Sequence, residues 1–314
     1  MAAAGQTENR VPRCRSAARM SAVPSEPSPP NVPNVHAQWR LALARRAAGA
    51  YTRNPKLAAL TVAGSVGAGL ADRFSDLELD CYWSAGPSDQ DRTAPIEALG
   101  GSLTALWDYD PDEEEWSEDY RLGQLDVTVS NFLTSTVDRF LDQVTGQADP
   151  DPVKHMRLAA VQRSQPLAGE SLVTSWRERA DQYPDQLVVA MVERSLNPQV
   201  LTGWAARALL SRIGYAVAGA VLALNRLYLP HRQLKWQQQL LSGLAVTPDR
   251  LTERLGQLFA PRTADAFQAA ETLLADTVAL AATRTEADLT GFRAELSERR
   301  RPSTRPLAAK PASR

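Results

Sequence analysis

The hydrophobic pattern of this chain predicts strands and helices before residue 150 and helices after it. Residues 57–63 form a short apolar run typical of a buried strand, and residues 76–83 alternate polar with apolar side chains. Residues 125–130 alternate in the same way. A 3.6-residue apolar period over Val35–Tyr51 predicts a helix ahead of these strands. The first half therefore reads as a small mixed sheet with helices.

Beyond Pro152 the pattern predicts only helices. The stretch Asp149-Pro150-Asp151-Pro152 separates the two regions and marks the predicted domain boundary. We therefore predict an α+β fold, with a mixed-sheet domain at residues 35–150 followed by an all-helical bundle at residues 151–298. The predicted helices of the second region are 152–163, 170–180, 184–195, 199–228, 248–260, 263–283 and 286–299.

Both ends of the chain have the composition of disordered segments. Residues 1–34 hold six prolines and almost no periodic apolar residues, which predicts a disordered Pro-rich leader. Residues 299–314 are basic and contain prolines, which predicts a disordered basic tail. We expect the chemistry to lie between these two segments.

The composition of the chain argues against several classes of protein. With 35 basic and 36 acidic residues the net charge is −1, which disfavours nucleic acid as a partner. Two cysteines and three histidines leave too few side chains for a disulfide scaffold or a Cys- or His-based metal site. The longest apolar run, Ile213 to Leu224, is shorter than the roughly 20 residues of a membrane span, so we predict a buried helix. With no secretory signal pattern, we predict a cytoplasmic protein without a membrane partner.

The candidate chemistry lies on two predicted strands. Asp76 and Glu78 are two positions apart and therefore point to the same face of one strand. Adjacent carboxylates repel each other but suit a divalent cation such as Mg²⁺. Asp126 lies on the second strand, and if the strands are neighbours, it completes a cluster able to hold two metal ions. Gly64 and Ser65 form a turn that could cradle terminal phosphates.

The order of these residues resembles the polymerase-β-type nucleotidyltransferase superfamily. In that pattern a Gly-Ser pair is followed, about ten residues later, by a carboxylate–apolar–carboxylate strand and then by a carboxylate on a later strand. Within that superfamily, the chain is similar to small bacterial nucleotidyltransferases such as aminoglycoside and lincosamide adenylyltransferases, a similarity that Lys235-Trp236 extends into the helical region. The resemblance implies that Gly64 and Ser65 contact the triphosphate and that Lys235 contacts a phosphate. It makes Asp76, Glu78 and Asp126 the catalytic and metal-binding residues.

The resemblance also implies a reaction. A Mg²⁺-dependent enzyme that binds two ions would move a nucleoside monophosphate onto an acceptor hydroxyl and release pyrophosphate. The group transferred would be AMP from ATP, or the corresponding monophosphate from another triphosphate. The acceptor is a small molecule or a protein. Two other readings stay open: an antitoxin-like transferase that modifies a partner protein, and a catalytically silent nucleotide-binding or scaffold member. Members of this class often build the acceptor site between subunits or domains, so a homodimer is one assembly that the resemblance allows.

The sequence departs from the family pattern at two positions. The second strand carboxylate is Glu78 where aspartate is common, and its longer side chain still reaches a metal. The arginine that commonly follows Gly-Ser is replaced by Gly67-Ala68-Gly69, and Arg73 is a candidate substitute.

An acidic segment follows the first strand pair and admits two interpretations. It is a solvated loop, or it is a negative rim that attracts a cationic small-molecule acceptor, with Glu118 or Asp119 as an alternative general base. Asp80 shares the face of Asp76 but lies about 13 Å farther along an extended strand, so we expect a strand-end or surface residue. The acidic segment comprises Asp108, Asp110, Asp112, Glu113, Glu114, Glu115, Glu118 and Asp119.

Overall fold

A six-stranded mixed sheet forms the centre of the fold. The computed structural model describes residues 35–197, 206–230, 237–258 and 263–299. The strand order is β3-β4-β5-β2-β1-β6, with the neighbours β2 and β5 parallel and all other neighbours antiparallel. The strands are β1 (Leu57–Val62), β2 (Leu77–Trp83), β3 (Ser102–Asp110), β4 (Glu115–Leu122), β5 (Leu125–Leu133) and β6 (Gln165–Ala168).

Helices make up most of the remaining described residues, so the predicted combination of a mixed sheet with many helices is confirmed. They are α1 (Val35–Tyr51), α2 (Gly64–Gly67), α3 (Asp89–Ala98), α4 (Thr134–Leu141, followed by a π-helical turn at Asp142–Gly146), α5 (Pro152–Arg163), α6 (Glu170–Ala180), α7 (Asp185–Ser195), α8 (Ala206–Leu224), α9 (Gln237–Leu241), α10 (Leu251–Gln257), α11 (Thr263–Arg284) and α12 (Thr290–Arg299).

The two faces of the sheet differ in chemistry. Leu77 and Leu79 of β2 are buried with α1 in an apolar cluster on one face. On the opposite face, Tyr82 of β2 and Phe132 of β5 pack into the core of the helices from α4 onward. Glu78 precedes Tyr82 on this second face by four residues, so the same face is polar where β2 begins and apolar where it ends.

Local sequence signals fix several helix positions. Asp151 caps α5 by accepting hydrogen bonds from the backbone N–H groups of Val153 and Lys154, and Pro152 occupies the first helical position. The predicted bounds of α5 and α6 agree with the structure. The apolar run from Ile213 to Leu224 lies in α8 and is largely buried, as predicted. None of the described helices is both long and apolar enough to cross a bilayer.

Two expectations about this chain are wrong. Helices are not the only elements beyond Pro152, because β6 (Gln165–Ala168) pairs with β1. A four-residue strand containing a proline is too short to show an alternating pattern. The acidic segment is also not simply a solvated loop, since most of it belongs to the hairpin of β3 and β4, and Glu118 within it is fully buried.

Some expectations concern residues outside the described ranges. These are the leader at 1–34, the tail beyond residue 299, Lys235 with Trp236, and parts of the helices predicted at 199–228 and 248–260. The division into a sheet domain and a helical domain stays a prediction.

His155 supplies a test of the helical core. It is fully buried, and its Nε2 lies 3.2 Å from the carbonyl oxygen of Asp149, which can only accept a hydrogen bond. Burial lowers the pKa of His155 to about 4, below the value of roughly 6.5 expected in the unfolded chain. The unfolded chain therefore binds the extra proton, and the stability present above pH 6.5 is lost as the pH falls towards 4.

We expect His155→Gln, which can donate to the same carbonyl without gaining charge, to remove this pH dependence. Urea unfolding should show that the free energy of unfolding falls between pH 7.5 and pH 5 by about 2 kcal/mol more in the wild type than in the variant. Equal losses in the two proteins would contradict the buried, neutral state of His155.

Candidate functional site

A tight turn joins β1 to α2 at the start of the candidate site. The backbone N–H of Ala63 donates to the carbonyl oxygen of Glu78 at 3.0 Å, which ties the turn to β2. Gly64 has a φ of +55°, and a Cβ at this position would lie 2.3 Å from Cδ of Glu78. The left-handed backbone conformation favours glycine here, and the absence of a Cβ leaves room for the Glu78 carboxylate. Ser65, predicted to contact phosphate, is buried.

The three predicted carboxylates lie on neighbouring strands. The parallel register pairs Leu77 with Val127 and Glu78 with Thr128. Asp76 and Asp126 directly precede Leu77 and Val127, so all three acidic residues share one face and one end of the sheet. The structure therefore brings together on the backbone the residues that the sequence pattern singled out.

The side chains of these carboxylates have different partners. Asp126 forms an ion pair with Nε of Arg121 at 2.7 Å, and its side chain is 67% exposed. Asp76 is half-buried and makes no side-chain hydrogen bond or ion pair with another described residue, although it interacts electrostatically with Arg40. Glu78 lies against Gly64, between the turn and the sheet. Of the three carboxylates, Glu78 is the one that the structure shows against the turn.

A cleft of about 260 Å³ separates this face of the sheet from α5. Its floor is β2 and β5, one wall is the Gly64 turn, and the other wall is α5. The cleft is polar on the sheet side and carries basic side chains on the helix side, which suits an anionic ligand that also needs oxygen ligands for a cation. Residues that line it include Gly64, Glu78, Asp80, Thr128, Arg157 and Arg163.

Asp80 corrects an expectation: it is neither a strand-end nor a surface residue. It lies within β2, is 6% exposed and lines the cleft. Burial raises the pKa of Asp80 to about 7; Arg157 opposes this shift and the nearby carboxylates reinforce it. The sequence could have predicted this position, because alternation places Asp80 on the same face as Glu78 and the apolar pattern continues the strand to Trp83.

Arg157 holds the helix wall of the cleft to the hairpin. Its Nη2 lies 2.9 Å from Oε2 of Glu115 and 3.5 Å from Oε2 of Glu113. Its guanidinium also stacks over the ring of Phe132 at 4.8 Å. Burial raises the pKa of Glu115, and Arg157 partly opposes that rise. Arg157 is therefore committed to structural partners.

The two alternative general bases lie on opposite faces of β4. Asp119 pairs with Thr128 across the strands and accepts a hydrogen bond from its hydroxyl at 2.8 Å, so it shares the face of Glu78. Glu118 pairs with Val129 and faces the other side of the sheet. Because Glu118 is fully buried there, the interpretation of Glu118 as a general base at this site is wrong.

The candidate replacement for the missing arginine lies elsewhere. Arg73 is exposed, and its guanidinium stacks over the ring of Phe74 at 4.3 Å. It is not among the residues that line the cleft, whereas Arg157 and Arg163 are. Sequence reasoning missed both, because only the packing of α5 on the sheet shows which side of the helix faces the carboxylates.

Asp76 and Glu78 fit the ligand chemistry of Mg²⁺. In nucleotide sites this ion typically takes one or two carboxylates and completes its octahedron with water and phosphate oxygens. The carboxylate of Glu78 lies close to the Gly64 backbone, so its oxygens are beside the turn. Within the described ranges, no group of three or more Asp, Glu, His or Cys side chains is arranged to hold a metal ion.

No protein-family model and no curated protein matches this chain.

Proposed function

We propose that this protein is a Mg²⁺-dependent nucleotidyltransferase that moves a nucleoside monophosphate, AMP from ATP in the first instance, onto an acceptor hydroxyl. One observation carries the proposal. Asp76 and Glu78 at the start of β2 share a face with Asp126 on the parallel neighbour β5, and the Glu78 carboxylate lies against the backbone of Gly64. Carboxylates therefore lie beside a glycine turn, at the edge of a cleft.

The proposed reaction forms a bond between the acceptor oxygen and the α-phosphorus and breaks the bond from that phosphorus to the bridging oxygen of pyrophosphate. Asp76 and Glu78 would hold Mg²⁺, which, when bound, neutralises charge on the phosphates. The Gly64 turn would position the triphosphate. Asp126 and Asp119 share the face on which the acceptor would approach, and either carboxylate can take the proton of its hydroxyl.

The proposal assigns residues 35–150 to a catalytic domain and residues 151–298 to a helical domain that supplies α5 as the second wall of the cleft. The acidic side chains at the hairpin tip, Asp108, Asp110 and Asp112, are exposed. Their charge would favour a cationic, hydroxyl-bearing acceptor by electrostatic steering.

The test determines where the α- and γ-phosphates of the nucleotide go in the reaction. The protein is incubated with Mg²⁺ and nucleoside triphosphates labelled in the α- or the γ-phosphate, with a panel of hydroxyl-bearing cationic compounds and a protein extract as acceptors. We expect the α-label to move to an acceptor, the γ-label to appear only in pyrophosphate, and both events to stop in Asp76→Asn/Glu78→Gln. Transfer of the γ-label to an acceptor, or no transfer of either label, would contradict the proposal.

A further inference from the structure

Arg163 lies at the end of α5 that meets the glycine–serine turn. A Cβ placed on Gly67 would lie 3.3 Å from Cα of Ser164, the residue after Arg163. Nε2 of Gln165 donates to the carbonyl oxygen of Gly67 at 3.2 Å. Arg163, Ser164 and Gly64 all line the cleft. The end of α5 therefore packs beside Gly67, and Arg163 lines the same cleft as Gly64.

Arg163 also differs from the other arginine of the cleft in its partners. Arg157 is paired with Glu115 and stacked on Phe132. Arg163 makes no hydrogen bond or ion pair with any residue that the structure describes, although it is half-buried and Glu78 and Asp80 line the same cleft. Burial lowers the pKa of its guanidinium. Partial burial of a cation without a counter-ion is unfavourable, and an anionic ligand in the cleft would remove that cost.

The shape and charge of the cleft indicate which anion this is. A guanidinium presents a planar fork of N–H donors that matches the oxygens of a phosphate group. The carboxylates on the sheet side would repel a simple anion, but they accept an anion that carries Mg²⁺. A metal-bound polyphosphate satisfies both walls of the cleft at once.

We propose that Arg163 binds the terminal phosphates of the triphosphate in this cleft, a role that rests on the proposed function. Arg163 then contributes to the affinity for the β- and γ-phosphates and to the departure of pyrophosphate, and it makes no contact with the nucleoside. Ligands with a polyphosphate chain depend on it, whereas a nucleoside monophosphate does not.

Calorimetric titration tests this role with four full-length proteins: wild type, Arg163→Gln, Arg163→Lys, and Lys154→Gln as a control. Lys154 lies on the same helix and pairs with Asp149, so the control loses one positive charge away from the cleft. The probes are ATP, AMP and inorganic tripolyphosphate, each with Mg²⁺. We expect Arg163→Gln to bind ATP and tripolyphosphate about 10- to 100-fold more weakly and AMP as tightly as the wild type does. Arg163→Lys should recover part of the loss, and Lys154→Gln should behave as wild type.

The outcomes separate this inference from the proposed function. If the wild type binds Mg²⁺–ATP, Asp76→Asn abolishes that binding and Arg163→Gln leaves it unchanged, the role of Arg163 is overturned and the proposed function stands. An equal loss for AMP and ATP would overturn it too, because the contact would not be with the terminal phosphates. If the wild type binds neither ATP nor tripolyphosphate, the proposed function and this inference both fail. Thermal unfolding of each variant confirms that the proteins compared are folded.

Discussion

Replacing Asp76 by asparagine is expected to lower the turnover number for nucleotidyl transfer by about 100- to 1,000-fold. Asparagine keeps the shape of the side chain and removes the negative charge that would hold Mg²⁺ next to the phosphates. Asp76 is half-buried and makes no hydrogen bond or ion pair with another described residue, so little folded structure depends on it. We therefore expect the free energy of unfolding to stay within about 0.5 kcal/mol of the wild-type value.

Asp72→Asn is the matched control for this change. Asp72 lies four residues earlier in the same loop, is exposed, and accepts hydrogen bonds from the backbone N–H of Phe74 and the hydroxyl of Ser75. The amide oxygen of asparagine can accept these bonds, so the control removes a charge and keeps the turn. The assay is the label transfer described above, with urea unfolding of each variant. Equal activity in the two variants would show that Asp76 has no specific role.

Replacing Glu118 by alanine is expected to destabilise the protein by about 3–5 kcal/mol. Glu118 is fully buried, and its Oε2 lies 3.3 Å from Nη1 of Arg92 and accepts a hydrogen bond from Asn131 at 2.9 Å. The Arg92 side chain is only 1% exposed. Without Glu118, Arg92 remains as a buried charge whose remaining partner among the described acidic residues is the exposed Asp89, and the Asn131 amide loses its nearest acceptor. Both changes are costly in the low-dielectric core.

The neighbouring Asp119 provides the control for Glu118. It lies on the other face of the same strand, is half-buried, and accepts one hydrogen bond from Thr128. We expect Asp119→Ala to cost about 1 kcal/mol, as for a single ordinary hydrogen bond. Burial raises the pKa of Glu118 to about 7, so urea unfolding of the two variants is compared at pH 8, where Glu118 is ionised in the wild type. A loss for Glu118→Ala no greater than that for Asp119→Ala would contradict this account.

The sequence predicts best where neighbouring residues determine the structure. The alternation of Leu77 and Leu79 with Glu78 identifies both β2 and its polar face. The position of α5 follows from a capping aspartate before Pro152. From the sequence, Asp126 joins the other carboxylates only if its strand is a neighbour of the strand that carries Glu78. The pairing of β2 with β5 meets that condition.

The remaining features depend on contacts between distant residues. Glu118 looks like one more charge in an acidic segment until α3 brings Arg92 against it. The strand β6 is too short to carry a pattern and is defined by its pairing with β1. Arg163 is an ordinary residue at a helix end until α5 docks beside the Gly64 turn. No local periodicity encodes these contacts, so sequence reasoning could not find them.

The most direct test of the central claim is a calorimetric titration of the protein with ATP, GTP, CTP and UTP, with Mg²⁺ and after its removal by a chelator. The wild type should bind at least one triphosphate when Mg²⁺ is present. That binding should disappear with the metal removed and in a folded Asp76→Asn/Glu78→Gln variant, while Asp72→Asn retains it. If no triphosphate binds in a metal-dependent manner, or if the double variant binds as tightly as the wild type, the cleft at Gly64 is not a nucleotidyl-transfer site.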